Sequence, residues 1–118
     1  GGRVALAPIY DVASSLPYEI AGVGVMHQRK VALAIGGERT FGLVGVDQWQ
    51  RFLTANSLDV EWGLGRVREL AEQLPDALAS TFDALAHLPG ADELRPRYVD
   101  GVAWSCGRTL DLLEQAGR

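Results

Sequence analysis

Tyr10 and Asp11 close the apolar run Val4-Ala5-Leu6-Ala7-Pro8-Ile9, and Ser14, Ser15 and Pro17 follow within a few residues. A lone carboxylate after a short extended run has two readings. It turns the chain or caps a helix by accepting backbone N–H groups, or it is a functional carboxylate whose task is set by its surroundings. The ring beside it packs in a core or rim, or lies against a bound ligand. Spacing alone leaves both pairs of readings open.

Other residues that could do chemistry carry less. Ser14, Ser15 and Ser80 lack the GxSxG elbow that exposes an acyl-transfer nucleophile. His27 and His87 are far apart and have no partner at metal-ligand spacing, so each reads as a surface or hydrogen-bonded histidine. Cys106 is the single cysteine, which rules out an internal disulfide; its helical spacing from Val102 and Leu110 favours a small buried hydrophobe over the alternative, a nucleophile. The stretch "AGVGVM" has GxG without a third glycine or a βαβ setting, and no GxxxxGK[ST] occurs, so no phosphate cradle is legible.

The elements that must position these groups divide into a front part of strand and loop and a rear part of helix. A chain of 118 residues, nearly half of them apolar, supports one domain or a large piece of one. No apolar run approaches the roughly 20 residues that cross a bilayer, and no secretory leader opens the chain, so the expectation is a soluble cytoplasmic protein. The formal charge of −4 offers no broad basic footprint, so no direct nucleic-acid site is readable.

In "KVALAIGGERTFGLV" two extended runs meet at Gly36-Gly37, a pair able to supply the positive φ of a tight hairpin. The Ala-rich run is also compatible with helix. Val46, Trp49, Phe52 and Leu53 then recur at helical period, with Asp47 and Gln50 in capping-box spacing, predicting a helix over about 46–56. Leu64, Val67, Leu70, Ala71 and Leu74 form a second stripe after a cap at Asp59.

Beyond Pro75, Leu78, Phe82 and Leu85 belong to a kinked continuation or to a new helix. Tyr98, Val102, Cys106, Leu110 and Leu113 form the last helix, entered through Asp92 and Pro96. Trp49, Trp62, Trp104, Phe82 and Leu110 are expected to face the core. Arg66, Arg68, Glu69 and Glu72 read as a solvated helix face.

"LAPIYDVASSLPY" resembles the segment that opens the C-terminal part of the HipA-like serine/threonine kinases. There a strand ends in L-x-P-x-Y-D-[VIL], followed by a Ser-containing loop and another proline. Leu6, Pro8, Tyr10, Asp11, Val12, Ser14, Ser15 and Pro17 fit that pattern. "KVALAIGGERTFGLV" resembles the family's K-L-A-M-x-I-x-G segment, "DQWQRFLTANSLD" its helix with a central aromatic, and "RVRELAEQLPDAL" its helix closing in Leu-Pro. The likeness covers most of the chain, weakly toward the C-terminus.

The resemblance implies an α+β fold: a mostly helical C-terminal subdomain of a protein-kinase-like fold over 1–118, with a short N-terminal strand at Arg3–Ala7 and a small hairpin. It implies that Asp11 is the DFG-type ligand of Mg²⁺, that Tyr10 lies beside bound ATP, and that the full-length chain phosphorylates a protein substrate. It further implies the toxin of a toxin-antitoxin pair, restrained by a HipB-like DNA-binding antitoxin.

The glycine-rich loop, phosphate-pairing lysine and catalytic-loop Asp and Asn of kinases are absent from these residues. They are expected upstream, in the rest of the kinase and its N-lobe, so no catalytic residue is assigned here and the chain by itself is expected to be inactive. The competing expectation is a non-catalytic helical interaction module that keeps the family's packing. An intact Y-D motif favours the kinase, because a binding module needs no carboxylate there.

Overall fold

The computed structural model describes residues 29–116. Their order is β1 (Lys30–Ile35), β2 (Glu38–Thr40), one 3-10 turn (Phe41–Leu43), α1 (Val46–Ala55), α2 (Val60–Ala84) and α3 (Ala91–Ala116). The described chain is thus mixed α and β and mostly helical, with one antiparallel hairpin. The strand expected at Arg3–Ala7 lies outside the described residues.

The hairpin forms where the Gly-Gly pair placed it. Gly36 and Gly37 take φ of 57° and 87°, the left-handed pair that a two-residue turn needs to match strand twist. Lys30 faces Thr40 and Ile35 faces Glu38. Six residues of β1 therefore oppose three of β2, and β1 bulges between its ends.

Helix α1 spans nearly the predicted range but starts on a different cap. Gly45 is the N-cap, and Gln48 Oε1 accepts its backbone N–H at 2.9 Å. The Asp47–Gln50 pairing is off by two residues. Glycine has no side chain to complete a box, so the glutamine half alone holds the helix start, while Asp47 falls in the first turn and complements the helix dipole. At the other end Asn56 Nδ2 donates to Phe52 O at 2.8 Å and Ser57 adopts φ 56°, reversing the chain toward α2.

Asp59 caps α2 as expected, its Oδ1 accepting the N–H of Trp62 at 2.7 Å. Pro75 does not divide the stripe: α2 is one helix to Ala84, so of the two readings the continuous one holds. The packing of α2 along α3 offsets the hydrogen bond that proline cannot donate. After the exposed loop 85–90, α3 begins at Ala91, beside the expected entry residue Asp92, which lies with Glu93 in its first turn, while Pro96 falls inside the helix. Phe82 and Tyr98 rings meet at 5.8 Å and Asp83 pairs with Arg95, joining the end of α2 to the start of α3 in an antiparallel pair.

Val44, Leu53, Ala71, Cys106 and Leu113 make the buried apolar core. Leu53 seats against Gly63, where a Cβ would come within 2.3 Å of its Cδ2, so the missing side chain is what lets α1 approach α2. Three expectations about burial need correction. Trp62 is 60% exposed, because it stands on the face of α2 opposite Ala71. Trp49, Trp104, Phe82 and Leu110 are half-buried rather than enclosed. Leu70 and Leu74 are 48% and 47% exposed, since α1, roughly 15 Å long at helical rise, cannot cover a helix of α2's length.

Leu53→Ala should therefore be costly. It removes a nearly enclosed side chain beside a glycine that cannot fill the gap, and a loss of about 3 kcal/mol is expected from transfer and cavity terms together. Phe82→Ala should cost less, because part of that ring already meets water. Chemical denaturation of the two variants checks the order.

Candidate functional site

Tyr10 and Asp11, the two residues singled out for nucleotide and metal, lie outside the described residues, as do Ser14, Ser15 and His27. What the structure supplies is the framework that follows them in the chain. Phe41 donates its N–H to Arg29 O at 3.0 Å, closing the open end of the hairpin. Gly36 sits directly against the backbone of Gln48 on α1. The 3-10 turn is tied to α3 by Arg108, whose Nε donates to Gly42 O at 2.8 Å. Residues 36–45 are thus held from two sides by α1 and α3.

The described titratable groups make no compact catalytic set. Among the described residues no three His, Cys, Asp or Glu side chains gather as a metal site. His87 is exposed in the loop between α2 and α3. Arg66 and Glu69 pair at 3.0 Å one turn apart, as read from the solvated face of α2.

Cys106 is buried, and burial pushes its thiol pKa up, since the thiolate loses hydration there. The nucleophile is the thiolate, so near pH 8 the folded chain should be alkylated by iodoacetamide much more slowly than the same chain in denaturant. Equal rates in the two states, followed by mass spectrometry, would show that Cys106 is accessible instead.

Shallow depressions mark the surface. One lies between the 3-10 turn and α3, one on the outer face of α1 beside Asp47 and Arg51, and one at the start of α2 beside Asp59 and Trp62. None joins a nucleophile to a base. Within the protein, Trp49 Nε1 is buried without an acceptor among the described residues.

Sequence reasoning missed Arg108 and the groove beside it. Arg108 stands in a gap of the stripe through Val102, Cys106 and Leu113, and its acceptor is 66 residues away, so no local pattern could expose the pairing.

Compared with known proteins, the chain matches no family model, no curated protein and no solved structure. Among the described residues no helix is long and apolar enough to cross a membrane.

Proposed function

We propose that this chain is the C-terminal part of a HipA-like serine/threonine kinase and supplies its Mg²⁺-binding carboxylate, Asp11. The observation that carries the reading is the run Leu6, Pro8, Tyr10, Asp11 and Val12 in one L-x-P-x-Y-D motif, followed by serines and Pro17. A mostly helical chain with a hairpin at Gly36-Gly37 is compatible with it. One implied feature departs: α2 runs on to Ala84 instead of ending at Leu74-Pro75.

Phosphoryl transfer needs charge neutralisation and positioning more than covalent chemistry, and Mg²⁺ supplies the neutralisation when bound. Asp11 would hold that ion through hard carboxylate oxygens, and Tyr10 would flank the nucleotide. The phosphate-pairing lysine and catalytic-loop carboxylate would come from upstream kinase segments. A protein is the substrate class, and a HipB-like DNA-binding protein the restraining partner.

The alternative reading, a non-catalytic helical interaction module, draws on exposed apolar residues such as Trp62, Leu70 and Leu74. One experiment separates the two. The 118 residues alone should show no phosphate transfer from Mg-ATP to protein, because the positioning groups act together and most are missing. The chain extended through its upstream coding sequence should transfer phosphate. Inactivity of the well-folded extended chain, or an upstream sequence without catalytic Asp and Asn, would favour the interaction module.

A further inference from the structure

The groove between the 3-10 turn and α3 has a volume of about 540 Å³ and is lined by Gly42, Leu43, Trp104, Gly107, Arg108 and Asp111. That is room for a few side chains. Its charges are arranged unusually. Among the described residues Arg108 donates only through Nε, at 2.8 Å to Gly42 O, which fixes the plane of the guanidinium and leaves its Nη fork for another partner. Asp111 lies one turn further along α3, yet no ion pair joins the two among the described residues. Leu43 stands 56% exposed at one side. At Gly107 a Cβ would meet nothing within 4 Å, so a ligand backbone can lie close to α3.

We propose that this groove docks a peptide segment of a partner protein in which a carboxylate side chain neighbours an apolar one. The Nη fork matches a carboxylate in two parallel hydrogen bonds. Leu43 and the half-buried Trp104 receive the apolar neighbour, and Asp111 accepts an N–H from the peptide. The same Asp111 selects against polyanions, because a nucleic-acid backbone or a free phosphate bound at Arg108 would bring further negative charge to that carboxylate on a chain already at −4. This inference does not depend on the kinase reading.

The test is a titration of the ¹⁵N-labelled 118-residue chain with a capped tripeptide of glutamate, leucine and glycine, and with its glutamine counterpart. The Arg108 Nε–H and Trp104 indole N–H signals should shift saturably with the glutamate peptide, and the glutamine peptide should bind at least tenfold more weakly. Arg108→Lys should lose most of the binding. That variant also disturbs the tie to Gly42, so Asp111→Asn, which leaves the tie intact, provides the independent check: it should gain affinity for inorganic phosphate that the parent chain lacks. Equal binding of the two peptides, shifts confined to Trp62 and α2, no shift at millimolar peptide, or phosphate binding unchanged by Asp111→Asn would overturn the proposal.

Discussion

Gly36→Ala should be among the most damaging single substitutions in the described part of the chain, lowering stability by roughly 2–4 kcal/mol through overpacking and a strained φ together. Two separate penalties meet at this residue. Its φ of 57° lies in the left-handed region that alanine rarely adopts, and a Cβ there would sit 2.1 Å from the carbonyl oxygen of Gln48. That neighbour is helix backbone, with no flexible end to swing aside, so the hairpin must lift off α1 to make room.

Gly37→Ala is the matched control. Gly37 has φ 87° but nothing within 4 Å of its would-be Cβ, so it carries the conformational cost alone, about 1 kcal/mol. Thermal melts of the two variants should differ by roughly 4–24 °C, given about 4–8 °C per kcal/mol for a domain near this size. Coincident melts would mean that the hairpin does not bear on α1.

The contrast between neighbouring glycines shows where the sequence is legible and where it is not. Both residues could be read as a turn, because the demand for positive φ is local. That Gly36 alone also serves as a contact surface for α1 could not be read, since Gln48 belongs to another element and only the folded chain brings it near. The same division runs through the helices. Asp59 was legible as a cap because its acceptor role reaches only to Trp62. The cap of α1 was misplaced because the glutamine that fills it, Gln48, pairs with a glycine, a residue without any side-chain signal.

Burial was harder to read than helix position. Periodicity identifies a stripe but not the length of the element that covers it, so Leu70 and Leu74 follow the stripe through Ala71 yet remain half-exposed where α1 has ended. Trp62 misleads for a related reason: a large aromatic counts toward a core by type, whereas its position opposite Ala71 sends it outward. The Arg108 tie to Gly42 depends on a backbone carbonyl, which every residue possesses, and so had no sequence signature. Tyr10 and Asp11 are legible only through the words around them.

If the proposed kinase reading holds, Asp11→Asn, made in the chain extended through its upstream coding sequence, should leave folding nearly unchanged while lowering phosphate transfer by orders of magnitude. Asparagine keeps the size and almost the shape of aspartate but removes the charge that attracts Mg²⁺, and the ion's neutralisation of phosphate charge is a large part of what a kinase contributes. If Asp11 instead only turns the chain or caps a helix, asparagine is among its best replacements, and neither melting temperature nor transfer rate should move much. Asp11→Ala adds a second discrimination: the cap reading predicts a loss near 1 kcal/mol of stability, whereas the metal reading predicts that the alanine and asparagine variants are equally inactive. Measuring melting temperature and initial phosphorylation rate on the same preparations separates the readings, and near-parental transfer by a well-folded asparagine variant would remove Asp11 as the metal ligand.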